Sequence, residues 1–108
     1  DSHNAWAFDL LAGDRAAGVE FAGQSVASHG FETRFTADPS AIAADLVAAN
    51  PALRWCDTSR RGYMTLTLER DAARTDWTML DIVRRRSLAV ARTTTAHVGH
   101  GARRLEIA

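Results

Sequence analysis

Residues 4–26 read NAWAFDLLAGDRAAGVEFAGQSV, and the alternation in this stretch decides the fold class. From Asn4 to Leu11, Trp6, Phe8 and Leu10 fall on one side and Ala5, Ala7 and Asp9 on the other. That period of two is the pattern of a half-buried strand. Gly13 and Asp14 supply turn chemistry. Gly18 to Val26 alternates again, with Val19 and Phe21 opposed to Glu20 and Gln24. Two alternating runs with a turn between them predict an antiparallel hairpin.

Downstream, SHGFETRF (residues 28–35) mixes polarities around a glycine and is expected to be a loop. Asp38 before Pro39 offers an N-cap and a first-turn proline, and Ile42, Leu46 and Ala49 recur at helical spacing until Asn50 and Pro51. A helix is predicted there. Met64, Leu66 and Leu68 alternate with Tyr63, Thr65 and Thr67, which predicts a strand from about Gly62 to Glu69. Arg70 to Ala73 is a short connection, and Arg74 to Val83 suits either a strand buried on both faces or a helix. Leu88 to Val98 is rich in Val and Thr, VGHG carries turn residues, and ARRLEIA can return as a last strand. The sum is a run of antiparallel strands with one helix, whose sheet needs something over its second face. Trp6, Phe8, Phe21, Leu66 and Leu68 are expected to share one buried layer.

The chain has 108 residues, enough for one small domain with a thin core. Thirteen basic residues balance thirteen acidic ones, so no global field gathers nucleic acid or anionic lipid, and nucleic acid is not expected as a stable partner. No apolar run approaches the length of a membrane span, and the first residues show no signal-peptide pattern. Cys56 is the single cysteine, which excludes an intrachain disulfide.

Among groups that carry chemistry, Asp1-Ser2-His3 is the sharpest candidate. A carboxylate and an imidazole two residues apart at a strand edge can turn toward one metal cluster. By spacing alone, a polar terminus without a ligand role is the commoner outcome. Cys56 with His29, His97 or His100 lacks any paired ligand spacing for zinc. Ser25, Ser28 and His29 stand in no nucleophile motif. Arg60 and Arg61 could meet phosphate, but pairing with acids such as Asp57 is the plainer role, and Arg84 to Arg86 suit a solvated edge.

Four blocks, DSHNAWAFDL, GVEFAGQSVASHGFE, NPALRWCDTSRRGYMTLTLER and TDWTMLDIVRRRS, together resemble the carboxy-terminal part of the alkaline phosphatase D-like (PhoD-like) metallophosphatase family. The resemblance runs from Asp1 to about Ser87, and the block from Asn50 to Tyr63 is its most specific part. It implies an α/β fold, the four-layer sandwich of calcineurin-like metallophosphoesterases. This chain would supply only the C-terminal, mostly antiparallel β portion with one helix, its strands belonging mainly to the second sheet. Residues 1–108 would then be the C-terminal part of a domain whose upstream part is absent from this sequence. Asp1 would help bind a divalent ion such as calcium, and His3 would lie at ferric iron. The remaining ligands would come from upstream, and Cys56 and Tyr63 would not replace them. His29 stands where a proline is expected in the family, which leaves the conformation of that loop open.

The activity implied is hydrolysis of phosphate esters by a metal-activated hydroxide, with the metals neutralising charge on the phosphoryl and leaving oxygens. No general acid or nucleophile is identified among these residues, and the isolated chain is expected to be inactive. A periplasmic or secreted location in a bacterium is implied as well. The rival readings are a non-catalytic β-rich binding module and an inactive gene fragment.

Overall fold

The hairpin forms as strands β1 (Ala5–Ala12) and β2 (Arg15–Ala22) of a computed structural model that describes residues 2–108. Its two-residue loop is Gly13-Asp14, and Gly13 takes φ +67°, a left-handed conformation that glycine adopts without steric cost. The second strand begins earlier and ends earlier than the alternation suggests, because Arg15 and Ala16 already pair with Ala12 and Leu11 across the tight turn, with Ala17 bulged between them and Gly18. Gln24 to Val26 lie beyond it.

Asp38 caps helix α1 (Pro39–Ala49), its carboxylate accepting from the Ser40 amide at 2.8 Å. The chain then enters β3 (Leu53–Asp57), a strand the sequence reading does not contain. β3 pairs antiparallel with β1 on the side opposite β2, so the first sheet has the order β2-β1-β3. The second sheet is an antiparallel meander of β4 (Gly62–Leu68), β5 (Ala72–Leu80), β6 (Val90–Gly99) and β7 (Glu106–Ile107). Arg74 to Val83 thus contributes to a strand rather than a helix, and its period is two, with Thr75, Trp77 and Met79 buried in alternation.

The strands therefore divide between two sheets of three and four strands, and each sheet covers a face of the other. Trp77 stands at the centre with no exposed surface, its ring 4.7 Å from Trp55 and 5.9 Å from Phe21 between centroids. Trp55 and Phe21 flank Ala7 in the register of the first sheet. Ala5, Ala7, Met79, Ala96 and Leu105 complete this core.

The expected layer of Trp6, Phe8, Phe21, Leu66 and Leu68 is not what forms. Directly opposed residues of paired strands share a face, so Phe21 lies with Ala7, whereas Trp6 and Phe8 lie on the far face and are only half-buried. The inner face of β1 is the alanine face because small side chains there leave room for Trp77 between the sheets. Along β4, Met64 packs on the core, but Leu66 and Leu68 are 47% and 72% exposed. The apolar face of that edge strand runs past the sheet that covers it.

The segment after β2 stitches the sheets together. The Trp77 indole donates to the Ala22 carbonyl at 3.0 Å, Gln24 Nε2 donates to the Thr78 carbonyl at 3.3 Å, and the Gly62 amide donates to the Ser25 carbonyl at 3.2 Å. At Gly62 a methyl group would fall on the Thr78 backbone carbonyl and close on Gln24 Nε2. Backbone cannot swing aside as a side chain can, so Gly62→Ala is expected to destabilise the fold by roughly 1–3 kcal/mol. Urea unfolding would read the loss, and an unchanged midpoint would show that β4 and β5 can part at this point.

Candidate functional site

The amino-terminal end of β1 is held by a network of loop residues and the short 3-10 turn Phe31–Thr33, which lies within the segment expected to be a loop. Asp1 lies outside the described residues. His3 is described and adopts φ +58°, left-handed backbone that a non-glycine residue enters at some cost and that histidine tolerates better than most. Its carbonyl accepts from the Ser25 amide at 3.2 Å and from Nη1 of Arg61. Its ring Nδ1 lies 2.8 Å from the His29 carbonyl. A carbonyl can only accept, so Nδ1 carries the ring proton in this contact and the lone pair of the neutral ring belongs to Nε2. Metal-binding histidines are commonly held in this way, one nitrogen anchored on a carbonyl and the other presented as the donor atom. So held, the His3 ring is the described side chain at this corner that would hold a metal.

The surroundings are built with equal care. Asn4 is buried, and its Oδ1 accepts from the Phe31 amide at 3.2 Å and from Arg61 Nη2 at 3.3 Å. Arg61 is only 6% exposed; it also donates to the Ser28 carbonyl at 3.1 Å and pairs with Glu32 at 3.1 Å. Glu32 in turn accepts from the Gly30 amide at 3.1 and 3.2 Å. Gly30 has no room for a side chain, since a Cβ would collide with Asn4 Oδ1, Arg61 Nη2 and Glu32. His29 takes part through its backbone carbonyl while its side chain is exposed, so the loop is held by these hydrogen bonds where a proline would have restricted it by its ring. A cleft of about 540 Å³ opens beside this corner, lined by Ser2, His3 and Asn4 together with Trp6, Phe8 and Gln24.

Arg60 and Arg61 divide in role. Arg60 pairs with Asp57 at 3.3 Å, as the sequence suggests, while Arg61 turns inward to Glu32. Burial alone would raise the Asp57 pKa. Hydrogen bonds from the Ser59 amide and hydroxyl and the Arg60 amide, with the Arg60 charge, outweigh that and hold the carboxyl below its ordinary value. The Ser59 and Arg60 backbone amides close a tight turn on Asp57 Oδ1 immediately before Arg61.

The other candidates do not assemble. His97 lies beside Glu106 at 3.3 Å. The Ser25 hydroxyl accepts from the Ala27 and Ser28 amides, a local turn. Arg84 to Arg86 are exposed. Among the described residues no group of three or more His, Cys, Asp or Glu side chains is placed to hold a metal. Cys56 is buried against α1, its Sγ 3.6 Å from the Ala43 carbonyl.

Burial first, and the Asp57 charge second, push the Cys56 thiol up from 9.0 to about 11. The thiol is therefore expected to resist alkylation at pH 8 until the protein unfolds, and rapid labelling of folded protein would contradict its burial. Because the unfolded thiol ionises first, its contribution to stability is present below pH 9 and is lost as pH climbs from there through about 11.

Two face-packed antiparallel sheets with a histidine anchored at one strand end define a β-rich domain with a hydrogen-bonded corner at the start of its first strand. A family model described as PhoD, PhoD-like phosphatase, matches residues 1–77, and the chain belongs to that family. The match spans both strands of the hairpin, the His3 corner, Arg61 and the first two thirds of β5, ending on Trp77. No curated protein and no solved structure matches the chain. Among the described residues no helix is long and apolar enough to cross a membrane.

Proposed function

We propose that this chain supplies the Asp1–His3 ligand pair of a metal-dependent phosphate ester hydrolase. The observation that carries the proposal is the His3 ring, anchored through Nδ1 on the His29 carbonyl at a left-handed backbone position. Membership of the PhoD-like phosphatase family supports the reaction class. Asp1 would bind a divalent ion such as calcium and His3 ferric iron, in keeping with a hard oxygen donor and a borderline nitrogen donor. When bound, such ions activate water and neutralise charge on the phosphoryl oxygens.

The role of these 108 residues is to hold the pair in place. The backbone at His3 is fixed by Ser25 and Arg61, its ring by His29, and the first sheet by its packing on Trp77. The other ligands would come from protein outside this sequence, completing a calcineurin-like sandwich in which further layers cover the Trp6 and Phe8 face. A periplasmic or secreted location goes with the same reading.

The test is turnover of p-nitrophenyl phosphate and bis-p-nitrophenyl phosphate by the full-length protein before and after metal stripping, with iron and calcium added back. Activity should vanish on stripping and return with the metals. The 108-residue chain alone should show none. Turnover that survives exhaustive metal removal would sink the proposal.

A further inference from the structure

We infer that Arg61 is the positioning residue of the His3 corner: its guanidinium sets the backbone conformation of His3 and, through the loop of residues 28–32, the orientation of the His3 ring. The inference rests on the proposed role of His3 as a ligand. Arg61 joins the strand end to the loop through four acceptors. Nη1 donates to the carbonyls of His3 and Ser28, and Nη2 donates to Asn4 Oδ1 and to Glu32 Oε2. The Ser28 carbonyl and the Glu32 carboxylate bracket His29, whose own carbonyl anchors the His3 ring. One rigid planar fork thus ties the strand end to the loop that receives the imidazole.

A stability role alone does not account for it. A buried ion pair is a poor source of stability, because desolvation offsets much of the attraction. Among the described residues the Arg61 Nε and the Asn4 Nδ2 are buried without a hydrogen-bond partner, a cost that an apolar plug would avoid. What the guanidinium provides and an apolar residue could not is simultaneous control of four acceptors around a left-handed His3. Lysine cannot replace it, since an ammonium on a flexible stem cannot reproduce a fixed fork to acceptors on two sides.

The test is made on the full-length protein as wild type, Arg61→Lys and Glu32→Gln, with Arg60→Gln as a neighbouring charge control and near-UV circular dichroism to establish folding. Long-range proton–nitrogen spectra of the metal-free protein, labelled with nitrogen-15 histidine and assigned with His3→Gln, report the tautomer of the neutral ring. Wild type and Arg60→Gln should hold His3 as the Nδ1–H tautomer, and Arg61→Lys should show a mixture of both tautomers. In the metal-loaded protein, Arg61→Lys should lower kcat by roughly 10–100-fold, the loss expected when a ligand's supporting partner is removed, with a smaller change in KM. If Arg61→Lys does not fold, Glu32→Gln, which removes the charge that holds one arm of the fork, should show the same tautomer shift to a lesser degree. An unchanged ring in a folded Arg61→Lys, or failing that in Glu32→Gln, overturns the inference. A tautomer shift in a protein without phosphatase activity would uphold the positioning role and remove the hydrolase reading. An unchanged ring in an active phosphatase would do the reverse.

Discussion

His3→Ala in the full-length protein is expected to reduce phosphate ester turnover by more than the roughly 10–100-fold typical of losing a group that only supports a ligand. The ring is anchored with its Nδ1 on the His29 carbonyl, and its backbone is held by Ser25 and Arg61. Removing it leaves the scaffold intact, because the core lies on the other side of β1 around Ala5, Ala7 and Trp77. Activity should therefore fall without a matching fall in stability. Iron content should drop with it, whereas Asp1→Ala should disturb the neighbouring divalent ion. Metal analysis and turnover on both variants check the assignment. Near-normal turnover with both metals retained would take Asp1 and His3 out of the mechanism.

Trp77→Ala should have the largest effect on folding. The indole has no exposed surface, lies against Trp55 and Phe21, and donates a hydrogen bond to the Ala22 carbonyl. Truncating a buried aromatic of this size leaves a cavity between two sheets whose backbones cannot collapse onto it, and a loss of about 3–5 kcal/mol is expected. That is a large share of the roughly 5–15 kcal/mol by which a typical domain is stable. Trp77→Phe keeps most of the apolar volume and abandons the Ala22 carbonyl, so its cost should be smaller. Urea unfolding followed by near-UV circular dichroism separates the two. A mild Trp77→Ala would mean that the sheets are held mainly by the stitching at Gln24 and Gly62.

The alternation in residues 4–26 was enough for the hairpin, and Asp38-Pro39 with Asn50-Pro51 was enough for the bounds of α1, because both signals act over a few residues. β3 escaped because five residues that include Arg54 and Asp57 show no clean period, and the strand exists only by pairing with β1. The Arg60–Asp57 pair was legible for the same local reason that the Arg61–Glu32 pair was not: one spans a single turn, the other joins segments that meet only after folding.

The sequence by itself determined the first hairpin, α1 and β4, the place of Asp1-Ser2-His3 just before the first strand, and the family. Only the tertiary structure decided that the strands part into two sheets, that the alanine face of β1 is the inner one, and that Arg61 grips His3. Periodicity is a property of one segment, so it reveals that a strand has two faces without saying which is inside. That choice depends on what arrives from elsewhere in the chain: Trp77 needs the space over Ala7, and a buried guanidinium turns to whichever carbonyls and carboxylate the fold brings within reach.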